Sequence, residues 1–448
     1  LKSRKAVSTV AMTLIAIVVI AAIAGGGYYY YQSSQSMTAS TTASTSAGPL
    51  RAIKIGLVAS LTGTASDVGT DMQRASILAV EEINGAGGVY VEEYKSKLML
   101  ELVAGDDKTN PQEGVTAVTR MILEDNVDIL VGGFSSPVTY ASEVPAIENK
   151  VPFMITGASS SVVTRRTDMD TSYVFHYCSI TDDYSEVIVR FFADVMKPMV
   201  APDRNFRLAI LYQDSPYGKG CYDSSDKFIK ELNLPIDIVA GETFKMGDMD
   251  FHTQLTKIKA AKPDAVYHAG LVADSATAFK QGLSDVGMNT VFIGVECNDD
   301  PNFYELVGQW GDYQLIESKF APFAGHYMDA VDSYIEAYKK RWDIMPGMMG
   351  ADTYDAIYMI KAAIENAGTL DKAKVRDAIE KIELPQMLIP MKGGVIKFDE
   401  YHEIDPICFI EQMHFDKDTN TLKLSIVYPD TMKQQEFVLP PGYESGEA

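Results

Sequence analysis

The sequence predicts an α/β fold of two doubly wound parallel-sheet lobes, preceded by an N-terminal apolar helix. Three observations point there. Short apolar runs alternate with amphipathic ones from Ala52 onward, the same rhythm restarts near Phe206, and no charged residue occurs between Lys5 and Arg51. Strands that alternate with helices are joined by crossovers covering both faces of a parallel sheet. At 448 residues the chain exceeds one ordinary domain and suggests two, with extra segments.

The N-terminal segment comes first. Lys2, Arg4 and Lys5 precede an apolar run from Ala6 to Ala24, broken only by Ser8, Thr9 and Thr13. That is about the length of a membrane-crossing helix. Basic flanks stay on the cytoplasmic side, so the remainder is expected outside the membrane. Tyr28–Tyr31 suits the outer interface. Three fates are open: Ala22-Ile23-Ala24 fits a cleaved secretory signal, uncleaved anchoring is a second, and Arg4-Lys5-Ala6-Val7-Ser8-Thr9-Val10 resembles an archaeal pilin-like signal cut after Ala6. The length of the run favours a retained anchor. Residues 1–31 are thus a signal or anchor segment, and 32–49, rich in Ser, Thr and Ala, read as a flexible stalk.

The folded part follows. Ile53–Val58 reads as a first strand, and Asp71–Asn84 as a helix with Met72, Ala75, Leu78, Ala79 and Ile83 on one face. Leu98–Val103 is a second strand, and Gln112–Asn126 a second helix opened by Asn110-Pro111. Val127–Val131 and Pro152–Thr156 are buried strands. The second series has strands at Phe206–Tyr212, Ile236–Val239, Ala265–His268 and Val291–Gly294. Helices intervene near Gly218–Leu232, Phe251–Ala261 and Asp274–Val286. A helical stretch from about His326 to Glu365 precedes late strands at Val395–Phe398, Ile407–Phe415 and Leu422–Val427. These look antiparallel, with a turn at Asp416–Asn420.

Composition narrows the function classes. Hydrophobic residues make up 46% and charged ones 22%, as in ordinary globular proteins. A formal net charge of −22 repels phosphate backbones and disfavours nucleic-acid binding. Cys178, Cys221, Cys297 and Cys408 lack zinc-site spacing; outside the cell they could pair in three ways, or stay free. The six histidines are scattered without a metal motif, and neither a nucleophile elbow nor a P-loop occurs. No cofactor, metal or catalytic residue is implied.

Ligands of doubly wound sheets bind beyond the carboxyl ends of the strands, beside helix N-termini. The loops so marked are Ser60–Thr64, Gly132–Ser136, Thr156–Ser161, Gln213–Gly218, Gly270–Asp274 and Glu296–Asp299. Several are rich in small hydroxyl residues, which suit a ligand carboxylate.

In these loops the chain resembles the leucine/isoleucine/valine-binding protein family, with the type I periplasmic-binding fold. The resemblance rests on Ile53-Lys54-Ile55-Gly56…Leu61-Thr62-Gly63, Ala79-Val80-Glu81-Glu82-Ile83-Asn84…Gly87-Gly88-Val89 and Asp106-Asp107…Asn110-Pro111. It continues through Val131-Gly132-Gly133-Phe134-Ser135-Ser136, Asp214-Ser215-Pro216-Tyr217-Gly218 and Lys262-Pro263-Asp264-Ala265-Val266. It implies a binding domain at 50–430 with a three-strand hinge and a tail at 431–448. The first lobe would take about 50–179 and 321–392, the second about 180–320 and 393–430.

Function and site residues follow from the same resemblance. It implies the receptor of an ABC importer, working with permease and ATPase subunits and closing on an amino acid or related small ligand. Ser136 and Ser160 match hydroxyls that hold the ligand carboxylate, Ser159 stands beside them, and the Ala158 carbonyl matches one that meets the ammonium. Glu296 matches the second-lobe carboxylate for that ammonium, with Asp182 or Asp183 in support, and Tyr217 matches a closing aromatic. Val68 and Leu271 replace wall aromatics, and Phe134 and Ser135 also depart from the family pattern. Other amino acids, amides, urea and organic acids therefore stay open as cargo, as does a ligand-sensing ectodomain on the same fold. The plainer readings are helix caps for the serines and for Asp182, and surface or loop packing for Glu296 and Tyr217.

Overall fold

The computed structural model describes residues 51–446. The expected apolar helix at 1–31 and the Ser/Thr-rich stalk at 32–49 lie outside the described residues, as do the last two residues. Among the described residues, no helix is long and apolar enough to cross a membrane.

The first half builds one sheet. Its elements are β1 (Ile53–Ala59), α1 (Ser66–Gly85), a short hairpin of β2 (Val89–Val91) and β3 (Ser96–Leu98), then β4 (Leu100–Asp106), α2 (Pro111–Leu123), β5 (Ile129–Gly132), α3 (Ser136–Glu148), β6 (Phe153–Ile155) and β7 (Val174–His176). Strand order is β4-β1-β5-β6-β7, all parallel. Helices cover both faces, so β5 is apolar and buried along its whole length.

The second half repeats the plan. It runs α4 (Thr181–Phe191), β8 (Phe206–Gln213), α5 (Pro216–Glu231), β9 (Ile236–Phe244), α6 (His252–Ala260), β10 (Ala265–Ala269), α7 (Val272–Lys280), β11 (Val291–Gly294), α8 (Pro301–Val307) and β12 (Leu315–Ser318). The chain then returns to the first sheet's side with α9 (Asp329–Trp342), α10 (Met348–Ala367) and α11 (Lys372–Glu380). After a two-stranded ladder of β13 (Leu384–Pro385) and β14 (Val395–Ile396), it ends in β15 (Phe409–Asp416) and β16 (Thr421–Tyr428). The second sheet has the order β9-β8-β10-β11-β12-β15-β16. It is parallel up to β12 and antiparallel at β15 and β16, as the late alternating pattern predicts.

One packing detail occurs in both halves. A Cβ on Gly69, in the first turn of α1, would stand 2.0 Å from the carbonyl oxygen of Ser60, just past β1. A Cβ on Gly218, in the first turn of α5, would stand 2.0 Å from that of Gln213, at the end of β8. Only glycine lets each first helix start so close to its strand. That close approach places α1 and α5 at the strand ends where a ligand site is expected.

The chain passes between the sheets three times. The first passage follows β7, the second follows β12, and the third follows residues 402–404, which pair beside His176 before β15 begins. The hinge of three strands is thus present.

Several boundaries differ from the sequence reading. The expected helix from His326 to Glu365 is two helices, because α9 ends on Asp343 at a φ of 59° and Pro346 follows. The strand expected at Leu98–Val103 is β4, starting at Leu100, and Leu98 instead closes the β2–β3 hairpin. The short strands β7 and β12, with helices α3 and α11, carry too few periodic positions to be read alone. All four cysteines are buried and free.

Candidate functional site

The carboxyl ends of the two sheets face a shared cavity with about 330 Å³ of space between atoms, part of it open to solvent. From the first sheet come Phe134, Ser135 and Ser136 after β5, and Gly157 and Ser159 after β6. From the second come Gln213 at the end of β8, Tyr217 in α5, Leu271 after β10, and Glu296 and Cys297 after β11. Met349, in the first turn of α10, completes the lining.

Hydrogen-bond donors gather on the first-sheet side. Ser135 and Ser136 sit at the N-terminus of α3, where backbone amides lack intrahelical partners and the helix dipole favours negative charge. The Ser135 hydroxyl makes no capping bond, and neither does that of Ser160, so the plain capping reading does not account for them. Ser136 Oγ accepts from the Ser160 amide at 3.2 Å, which leaves its own proton to give. Across the cavity, Gln213 is 2% exposed and its Nε2 has no protein partner.

The floor is ionic. Glu296 is 2% exposed and accepts from Ser159 Oγ at 2.7 Å through Oε1. Its Oε2 accepts from the Ser179 hydroxyl and from Lys319 Nζ, the latter at 2.7 Å. Lys319 Nζ also stands 2.9 Å from Ser179 Oγ and 3.0 Å from Asp352 Oδ2. Burial alone would lower the Lys319 pKa, but the adjoining Asp352 and Glu296 charges lift it well above the ordinary lysine value. Desolvation raises the Asp352 carboxyl well above the carboxylate range, with Lys319 pulling the other way. Lys319 lies on the second passage between sheets, Glu296 on the second-sheet side and Asp352 on α10, so this triad ties the halves together at the hinge.

The sequence-predicted residues divide. Ser136, Ser159, Tyr217 and Glu296 meet in the cavity. Ser160 and Asp182 line a neighbouring open cleft with Lys219 and Lys227. Asp182 accepts from Lys227 at 3.1 Å and from Ser224, tying α4 to α5, whereas Asp183 accepts from the Ile180 amide at 2.8 Å at the start of α4. Ala158 is fully buried and its carbonyl accepts from His176 Nε2. Burial lowers the His176 pKa to about 4, so the ring is neutral with Nε2 as donor. Of the departures from the family pattern, Leu271, Phe134 and Ser135 line the cavity, whereas Val68 is buried within α1.

The family profile described as periplasmic binding protein matches residues 52–410, most of the chain. The chain belongs to the periplasmic binding protein family. A relative, the Leu/Ile/Val-binding protein homolog 7 of Brucella abortus (strain 2308), is 24% identical over 396 residues, covering 87% of this chain and 94% of its own length. Among solved structures, the branched-chain amino acid transporter substrate binding protein LivJ from Streptococcus pneumoniae, in complex with isoleucine, aligns with a TM-score of 0.71 at 23% identity. That match covers 85% of this chain and 100% of the other. A solute binding protein from R. palustris in complex with benzoate aligns with a TM-score of 0.69 at 17% identity, covering 87% and 99%. The two structures show the type I fold shared by proteins crystallised with quite different small molecules.

Two features of this binding protein escape a reading of its sequence. Lys319 follows β12, a four-residue strand too short to be seen as periodic. Had β12 been recognised, the strand-end rule would have marked Lys319 as it marked Glu296. Gln213 falls inside a loop the rule did mark, but nothing in its neighbours distinguishes its amide from a surface one.

Proposed function

We propose that this binding protein is the extracytoplasmic receptor of an ABC importer, capturing an amino acid or a related small polar ligand between two closing lobes and handing it to a membrane permease. No bond is made or broken in this reading. The supporting observation is the shared cavity, whose serine hydroxyls and helix N-terminus come from one sheet and whose carboxylate and Gln213 amide come from the other. A ligand touching both walls stabilises the closed arrangement over any open one, because its contacts exist in full only there.

The bodies that move are taken to be about 50–179 with 321–392, and about 180–320 with 393–430. Ser136, Ser159, Tyr217 and Glu296 are assigned to ligand contact. Ser160 and Asp182 are assigned to the rim, and Ala158 to support through its carbonyl. The partners are a permease and an ATPase, with the membrane reached through the N-terminal segment.

A thermal-shift screen of amino acids, amides and organic acids tests this. A binder present at 100 times its Kd stabilises by about 2.7 kcal/mol, a shift of several degrees. Ser136→Ala should weaken that binder by roughly ten-fold, the worth of one hydrogen bond to a charged group. A binder whose affinity ignored both Ser136→Ala and Tyr217→Ala would place the site elsewhere.

A further inference from the structure

Among the described residues lining the shared cavity Glu296 is the only acid, and its charge is already matched from within the chain. Lys319 Nζ lies 2.7 Å from its Oε2, and the two side chains are 0% and 3% exposed. Ser159 and Ser179 donate to the same carboxylate. Asp352 touches the same lysine nitrogen from α10, at 3.0 Å, so Lys319 is held on the Glu296 carboxylate from both sides of the hinge. A ligand ammonium brought to Glu296 therefore meets a carboxylate with three donors on it and a like charge directly behind.

The rest of the cavity has the complementary character. Ser135 and Ser136 stand at an α-helix N-terminus on the first-sheet side, and Gln213, on the second-sheet side with Glu296, presents a buried amide nitrogen without a protein partner. These groups donate, and they suit an anion or a neutral acceptor. Phe134, Leu271 and Met349 supply apolar surface between the two walls.

We propose that Lys319 sets the specificity of this site, directing the receptor to carboxylic acids that lack an α-ammonium group and against their amino-acid counterparts. The proposal rests on the receptor reading above and narrows its ligand class. A lysine serving only as a hinge clamp, joining Glu296 to Asp352, would alter stability without altering the ranking of ligands.

The test is calorimetric titration of the intact protein with matched pairs, 4-methylpentanoate against L-leucine and 3-phenylpropanoate against L-phenylalanine. The ammonium-free acid of a recognised pair is expected to bind at least about ten-fold more tightly, as one displaced charge contact implies. Lys319→Met should shrink or reverse that ratio, and so should Lys319→Met combined with Glu296→Gln, which removes both charges and spares the fold an unpaired one. Equal or tighter binding of the amino acid by the unaltered protein overturns the proposal and leaves the receptor reading intact. An unchanged ratio in a folded Lys319 variant overturns it too. Failure of every member of both pairs to bind removes the carboxylate reading of the cavity, and the proposal with it.

Discussion

Lys319 and Glu296 form a buried ion pair at the hinge, with Nζ 2.7 Å from Oε2. The pair is extended by Asp352, 3.0 Å from the same nitrogen. Taking three ionisable groups out of water is costly, and only their mutual contacts and hydrogen bonds offset it. Removing one partner should therefore harm the fold more than removing all three. Lys319→Met is expected to lower unfolding free energy by about 3–5 kcal/mol, and Lys319→Met with Glu296→Gln and Asp352→Asn to recover most of it. Urea denaturation measures both. A loss below about 1 kcal/mol in the single variant would mean that the triad is not buried as described.

Asp71 on α1 and Asp300 before α8 meet from opposite sides of the cleft beside Gly347. A Cβ there would stand 2.9 Å from Asp300 Oδ2 and 3.0 Å from Asp71 Oδ2. Burial raises Asp71 to about 6 despite bonds from Tyr338, Gly347 and Gly350. Burial first, then the Asp71 charge, raises Asp300 to about 7. The folded protein thus keeps these protons longer than the unfolded chain does. The linked stability is full below about pH 4 and is lost as pH rises through 6 to 7. Asp300→Asn keeps the volume and an oxygen for the Asn302 amide, so it should flatten the fall in melting temperature between pH 4 and 7. An identical slope in the variant would rule Asp300 out as a contributor.

Gly69 and Gly85 occupy the same helix and should respond oppositely to alanine. At Gly69 the new methyl meets the Ser60 carbonyl at 2.0 Å, which backbone movement must relieve. At Gly85 it meets nothing within 4 Å. Gly69→Ala is expected to cost at least about 1–3 kcal/mol, and Gly85→Ala to gain up to about 1 kcal/mol from helix propensity. Melting temperatures of the two variants, compared side by side, check the sign of each.

The legible parts of this protein were those with repetition. Long amphipathic helices such as α1 and α5, and buried apolar strands such as β1, β8 and β10, announce themselves by period and composition. The strand-end rule marked the loops and the family resemblance singled out Ser136, Ser159, Tyr217 and Glu296 within them, and these four meet in one cavity from two sheets. What the sequence could not display was partnership between distant residues. Glu296 looked like an acid awaiting a cation, and the cation proved to be Lys319, 23 positions on, beyond a strand of four residues. Asp182 looked like a helper for that acid, and its side chain turned instead to Lys227 and Ser224 on the neighbouring helix. Both outcomes depend on side-chain direction at the hinge, which no local periodicity encodes.

Gln213 and Ser136 approach the cavity from different sheets and contribute donors to it. Calorimetric titration of the intact protein with the strongest binder from the thermal-shift screen, alongside Ser136→Ala with Gln213→Leu, tests the central claim that ligand is held between the lobes. Saturable one-to-one binding, weakened by roughly 100-fold in the double variant at two charged-group hydrogen bonds lost, is the expected result. Undiminished one-to-one binding in a folded double variant would contradict it.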